Sequence, residues 1–300
     1  MQVGLDSDLA GAAVAATQVP IWFEAWEQCL SRFRPDSELS ALNRSRDTWM
    51  PVSDVLWQVL QAALAGAHQS GGLVLPTLLA PLTTAGYDRS FDEVQARAQD
   101  AAQAQFHLVP AVNLQASIDS IELDTDQCSV CLRDGIQLDL GGVAKGWCAD
   151  TAVQRLAKYG PVLIDAGGDI AIGGPVADDA PIVVGVANPI RPDEVIAALA
   201  LGPCGVATSG RDYRRWQYAG ALQHHIIDPR TSRPAQTDVL SATVIAPNAI
   251  TAEVAAKRVF ILGSEAGMGW LNAQPDLAGL LVLESGHALV SSRWAEYLSA

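Results

Sequence analysis

The chain has 300 residues, enough for one large domain or two of average size. With 49% hydrophobic and 17% charged residues it has the composition of a core-forming protein, which excludes a disordered chain. A formal net charge of −14 excludes nucleic acid as the main partner, since no overall basic field exists to release counterions; an anionic ligand would need a local cationic or metal-bearing site.

The first residues, MQVGLDSDLAGAAVAATQV, lack a basic start and are interrupted by Asp6 and Asp8, so they do not read as a signal peptide. No run of about eighteen apolar residues follows anywhere, so nothing spans a membrane as a helix. Gln2 to Leu5 reads as the tail of a strand. Trp22, Trp26, Leu30 and Phe33 then fall near helical spacing on a core face, and Pro35 ends the pattern. Cys29 lies in that helix and is a poor lipid anchor. It is one of five cysteines, an odd number that reads as reduced thiols in a cytoplasmic protein. Asp36 or Ser37 caps a short helix, SELSALNR, which Asn43 closes. Ser53 caps a longer helix through His68, with Val55, Val59, Ala62, Ala63 and Gly66 facing inward, and Ser70-Gly71-Gly72 stops it. Pro76 to Leu82 reads as another short helix ending near Gly86. Residues 92 to 105, polar and rich in Ala and Gln, read as a helix or a linker.

From Ser117 the apolar period changes to two, giving short strands around Ile118–Leu123, Val130–Leu132 and Ile136–Leu138. Cys128 and Cys131 form a CxxC, but in a strand positions i and i+3 face opposite sides, which argues against zinc or redox work. The stretch IQLDLGGVAKGWCAD, from Ile136 to Asp150, reads as strand, tight glycine turn and helix. Gly141 and Gly142 would let the backbone reach φ > 0, the helix start offers free N–H groups, and Lys145 adds a full charge. It is either a phosphate-binding turn or an ordinary turn with a surface lysine. The helix runs to about Tyr159. Val162–Ile164 is a buried strand that empties into Asp165-Ala166-Gly167-Gly168-Asp169, a second glycine pair flanked by carboxylates. Strands follow at 181–187 and 195–201. Gly205 to Gly210 is a strand entering a hydroxyl-rich turn with Thr208 and Ser209, and Arg211, Arg214 and Arg215 cluster just beyond, as a solvated face or a phosphate-neutralising group. His224 and His225 open a strand that ends at Asp228-Pro229, so one histidine faces inward and the other away. A strand at Leu240–Ala246, a helix at Thr251–Leu262 and strands at 279–284 and 287–291 complete the chain.

Taken in order, FRPDSELSALNR, SGGLVLPTLLAPL, LDLGGVAKGWCAD, LIDAGGDI, VATSGRDYRRW, HHIIDPRTSRP and TAEVAAKRVFILG resemble the FAD:protein FMN transferases, the ApbE family, formerly called thiamine biosynthesis lipoproteins. The resemblance implies a single T-fold-like α+β domain over residues 1–300, with antiparallel sheets packed with helices around a flavin cleft between two halves. It implies FAD as substrate, a client protein whose threonine hydroxyl attacks the FMN phosphate, and AMP as leaving group. Asn43, Gly141, Gly142, Lys145, Gly167, Gly168, Asp169, Thr208, Ser209 and His225 are the implied FAD-binding residues. His225 is also the candidate base by residue type. Magnesium is implied on a backbone carbonyl at Ala144 and on an aspartate and a threonine one helical turn apart.

Two of those positions depart from the family pattern. The aspartate is Glu253 and the threonine is Lys257, at i, i+4 on one helix face, and an ammonium in place of an oxygen ligand repels a cation. Leu75 and Ser232 also stand where the family has an acidic residue and a glycine. Three functions follow as alternatives: a transferase with altered metal use, with His225, Glu253 and Lys257 as its catalytic group; a flavin-binding module without transfer; or an FAD pyrophosphatase with water in place of the client.

Overall fold

A computed structural model describes residues 1–100, 117–176 and 180–299. In chain order its elements begin with β1 (Gln2–Leu5), α1 (Ala12–Thr17), α2 (Val19–Leu30), α3 (Glu38–Arg44), β2 (Met50–Pro51), α4 (Asp54–Gln69), α5 (Leu79–Thr84) and α6 (Phe91–Asp100). Next come β3 (Ile121–Asp124), β4 (Ser129–Leu132), α7 (Ala144–Leu156), β5 (Val162–Asp165), β6 (Asp169–Gly173), β7 (Ile182–Ala187), β8 (Val195–Leu201) and β9 (Cys204–Gly210). The last are β10 (Arg215–Tyr218), β11 (Ala221–His224), β12 (Ile227–Asp228), β13 (Arg233–Pro234), β14 (Val239–Ala246), α8 (Ala249–Leu262), α9 (Ser264–Asn272), β15 (Ala278–Leu283) and β16 (Ala288–Val290). The class is α+β, with every described strand pairing antiparallel. The contacts divide the chain, read from sequence as a single domain, into two compact units.

The first unit comprises Met1–Trp26, Val143–Asp212 and Thr237–Ala300. Its described residues form a seven-stranded sheet in the order β1-β5-β6-β9-β14-β15-β16. Helices α7 and α8 pack on one face of it, through Ala149, Ala152, Leu156, Ala256, Val259 and Phe260, all fully buried. The β7–β8 hairpin covers the other face, where Val184, Val186, Leu199 and Leu201 meet Val206, Ile245, Leu280 and Trp294. This double cover explains why β14 reads as an almost continuous apolar run, whereas β7 alternates and leaves Val183 in solvent. Gly205 of β9 lies where α8 begins: a Cβ there would stand 2.1 Å from the Asn248 carbonyl carbon.

The second unit comprises Glu27–Gly142 and Tyr213–Gln236. Its helices are capped as their sequence implies, with Ser37 Oγ accepting from the Ser40 N–H and Ser53 Oγ from the Leu56 N–H. After α4, Gly71 and Gly72 take positive φ, and the Gly72 N–H closes the helix on the Ala67 carbonyl. Leu78, Leu82, Ala85, Tyr87, Val94, Trp216 and Ile227 form one of its core clusters, and the buried Trp216 indole donates to the Ala85 carbonyl at 2.9 Å.

Several sequence expectations change. Phe33 lies beyond the end of α2 and is exposed, so it does not continue the Trp26–Leu30 stripe. Residues 136–138 join no sheet. Their backbone is satisfied otherwise: the buried Asn43 carboxamide donates to the Leu138 carbonyl at 2.9 Å and accepts its N–H at 2.7 Å, and the Asp139 N–H donates to the Pro76 carbonyl. A side chain that mimics a ladder partner removes the need for a strand. Of residues 92–105, those up to Asp100 are helical and 101–105 lie outside the described residues.

The close approach at Gly205 gives the first expected outcome. Gly205→Ala forces a methyl into the Asn248–Ala249 backbone and is expected to cost about 2–3 kcal/mol, read as a lower urea midpoint with an unchanged slope.

Candidate functional site

Helices α7 and α8 start side by side in the first unit, and each start is capped by a carboxylate of the other helix. The Gly146 N–H, in the first turn of α7, donates to Glu253 Oε2 at 2.9 Å. In return Asp150 of α7 accepts the Ala249 and Ile250 N–H groups at 2.9 and 3.0 Å. Asn248 Oδ1 takes the Thr251 N–H at 2.8 Å, so the early amides of α8 are satisfied by side chains. Two negative groups at two helix starts also suit the positive end of each dipole. Gly146 is required for the approach, because a Cβ there would stand 2.9 Å from the Ala249 and Ile250 backbone.

Two ammonium groups complete the cluster. Glu253 is fully buried, and its Oε1 accepts from Lys257 Nζ at 2.9 Å, with Lys145 Nζ 3.8 Å from the same oxygen. Lys145 also pairs directly with Asp169, which opens β6 and is 1% exposed. Burial, reinforced by the Glu253 charge, pushes the Asp169 carboxyl up to about 6 against the pull of Lys145 and Lys257. Burial acts on Glu253 in the same direction, but Lys257, Lys145 and the Gly146 N–H together hold it below the usual carboxylate range. Asp150 is raised by burial, against its two backbone bonds.

The magnesium that the family resemblance implies can be tested against these donors. Both Glu253 oxygens are engaged, one by an amide and one by an ammonium. Lys257 brings a positive charge to the position expected to offer a neutral oxygen, and Ala144 merely opens α7. The residues present do not fit a divalent cation.

The remaining implied residues are distributed as follows. Gly167 and Gly168 do take positive φ, 78° and 95°, and nothing lies within 4 Å of where their Cβ atoms would be, so the backbone there is open to a ligand. Gly141 and Gly142 do form a turn ahead of α7, but neither takes positive φ. Instead the Gly141 N–H donates to Asp139 Oδ1 at 2.7 Å, and Asp139 pairs with the buried Arg32. Asn43 spends its carboxamide on Leu138, so it positions the segment before Gly141. Thr208 and Ser209 are neighbours on β9 and point to opposite faces. Thr208 Oγ1 bonds Thr243 Oγ1 at 2.9 Å on the hairpin side, whereas Ser209 shares the helix side with Asp169. The three arginines do not form one group: Arg211 pairs with Glu284 and donates to the Thr237 carbonyl, Arg214 bonds Tyr87, and Arg215 is exposed on β10.

The strand expected from His224 onward breaks at a bend on His225. His224 is the buried histidine. Its Nε2 donates to the Ala235 carbonyl at 2.9 Å and its Nδ1 accepts the Ile226 N–H at 3.3 Å, which fixes a neutral tautomer and ties β11 to the β12–β13 hairpin. His225 is half-buried. Gly146 and Asp150 escaped the sequence reading although both lie in IQLDLGGVAKGWCAD. Their i, i+4 spacing puts them on one helix face, but only the position of α8 gives that face a purpose.

The chain is thus an antiparallel α+β protein with buried carboxylates and ammonium groups gathered at two helix starts. Its family follows from comparison with known proteins: the ApbE family model matches residues 3–281, and the chain belongs to the ApbE family. It is 34% identical over 271 residues to the FAD:protein FMN transferase of Treponema pallidum (strain Nichols), covering 85% of this chain and 73% of that protein. It is 28% identical over 294 residues to the FAD:protein FMN transferase of Salmonella typhimurium (strain LT2), covering 95% and 80%. The crystal structure of the ApbE protein of Thermotoga maritima superposes with a TM-score of 0.80 at 27% identity, over 99% of this chain and 94% of that one. Among the described residues no helix is long and apolar enough to cross a membrane.

Two measurements follow. Asp169 is raised in the fold from an ordinary 3.8 to about 6, so its contribution to stability is complete below the unfolded value and lost as pH rises through about 6. Relative to Asp169→Asn, the wild-type unfolding free energy from urea titrations is expected to fall between pH about 4 and about 6, by an amount on the order of 2 kcal/mol. His224→Ala is expected to lower the melting temperature, at a cost of about 1–3 kcal/mol for the groups left unpaired, whereas His225→Ala leaves it within a degree or two.

Proposed function

We propose that this chain is an FAD:protein FMN transferase, which moves FMN from FAD to a threonine hydroxyl of a client protein and releases AMP. The observation that carries the reading is the clasp of α7 and α8 with Lys145, Asp169, Glu253 and Lys257 gathered at it, in a chain that the ApbE model matches from residue 3 to residue 281. The hydroxyl oxygen bonds to the FMN phosphorus. The bond from that phosphorus to the bridging oxygen breaks, AMP leaves with the oxygen, and the hydroxyl proton goes to a base. Such a step needs neutralised charge and fixed alignment more than covalent help. Lys145 and Lys257 supply positive charge held in place by buried carboxylates. The open backbone at Gly167 and Gly168 allows close approach of the dinucleotide. His225 is the candidate base by residue type.

The same cluster supports a second reading. Lys257 in place of an oxygen ligand removes a metal position, and a chain that kept FAD but lost transfer would show the same change. Incubating the protein with FAD and a threonine-bearing peptide, then recording masses, separates the readings. Transfer is expected to add the mass of an FMN phosphoryl group to the peptide and to release AMP in equal amount. Free FMN with AMP would mean hydrolysis, and unchanged FAD would mean binding alone.

A further inference from the structure

The side chains at positions 253 and 257 have opposite charges one helical turn apart, and the geometry shows how they are used. Glu253 has no exposed surface, and each of its oxygens already holds a partner. A divalent ion entering here would have to displace either the Gly146 amide or the Lys257 ammonium from a carboxylate that has no solvent to turn to. Lys257, by contrast, is not spent. Its Nζ carries three hydrogens and donates one to Glu253 Oε1, and the side chain keeps 14% of its surface open. The anchored ammonium loses little further rotamer freedom when it meets a ligand. Lys145 stands 3.8 Å from the same Glu253 oxygen and keeps 36% of its own side-chain surface open. The carboxylate therefore holds two ammonium groups near each other that would repel without it.

We propose that Lys257, anchored on Glu253, contacts a phosphate of FAD in place of a divalent cation, so that FAD binding by this chain is independent of magnesium. The inference rests on the transferase reading for its ligand. An ammonium is a compact point charge that suits a phosphate oxygen, and its bonds to phosphate are charge-assisted. It carries one positive charge where magnesium carries two, so the site holds its phosphate without a chelatable component and with a smaller local charge.

The test is a calorimetric titration of FAD and, separately, of riboflavin, at one salt concentration, with excess EDTA or with added magnesium chloride. The wild-type FAD affinity is expected to agree within about twofold between the two conditions. Lys257→Met alone leaves Glu253 charged, buried and short of a donor, which threatens folding. The double variant Glu253→Gln with Lys257→Met removes both charges at similar volume, and its fold is checked by circular dichroism and melting temperature. That variant is expected to lose roughly tenfold or more in FAD affinity, the worth of one charge-assisted bond, with riboflavin, which has no phosphate, unaffected. The double variant Glu253→Asp with Lys257→Thr is expected to bind FAD more tightly when magnesium is added. Wild-type FAD binding that collapses in EDTA would overturn the inference and leave the transferase reading standing. If the double variant Glu253→Gln with Lys257→Met folds and keeps its FAD affinity, or loses riboflavin equally, the inference is overturned too. Failure of the wild type to bind FAD under either condition would overturn both.

Discussion

Two helix starts that lie against each other cannot both leave their amides unpaired, and the first unit is built around the solution. The early N–H groups of α7 and α8 are withdrawn from water where the helices meet, so each needs an acceptor from the protein. A hydroxyl cap would satisfy one amide. A carboxylate on the neighbouring helix satisfies one or two and also complements the dipole. Asp150 and Glu253 do this reciprocally, so neither helix can be displaced without uncovering amides of the other. The sheet follows from the same constraint. With α8 fixed at its start, β9 must pass beneath it, and only Gly205 allows the backbones to come that close.

Burying Glu253 and Asp169 is unfavourable unless positive charge follows them. Lys145 meets both carboxylates, and Lys257 meets Glu253. The two acids nevertheless respond oppositely. Glu253 has two ammonium groups and an amide and is held ionised, whereas Asp169 has Lys145 close by and the Glu253 charge against it, and rises to about 6.

How much of this was legible depended on whether a residue's partner was near it in sequence. The caps at Ser37 and Ser53, the stop at Gly71-Gly72 and the strands at Val162–Asp165, Ile182–Ala187, Val195–Leu201 and Val239–Ala246 rest on local pattern and agree with the structure. The strand expected at Ile136–Leu138 failed because its partner is one side chain, Asn43, 95 residues earlier. The ordered motifs pointed to the ApbE family, yet its implied FAD contacts did not sort by face. Thr208 and Ser209 are adjacent in sequence and opposite in the sheet, and the pairing of Thr208 with Thr243 is visible only in the register. His224 and His225 show the same limit. Alternation alone says that the two differ, and it takes the Ala235 carbonyl to show that His224 is the structural one.

The pairing of Glu253 with Lys257 has its own physical logic. A lysine introduced opposite an otherwise unchanged metal site would repel the ion and gain nothing for its desolvation. A glutamate in place of an aspartate gains a methylene of reach, and here one carboxylate spans from the Gly146 amide on α7 to the ammonium one turn along its own helix. The longer acid thus keeps the α7 cap while it anchors the new charge. Glutamate N-terminal to lysine at i, i+4 is also the favourable order of the pair on a helix. Neither change is useful without the other: Lys257 alone is an unanchored charge in a nearly closed site, and Glu253 alone is a buried carboxylate whose second oxygen lacks a close donor. The two positions therefore act as one unit: the carboxylate that caps α7 is also the one that anchors the ammonium.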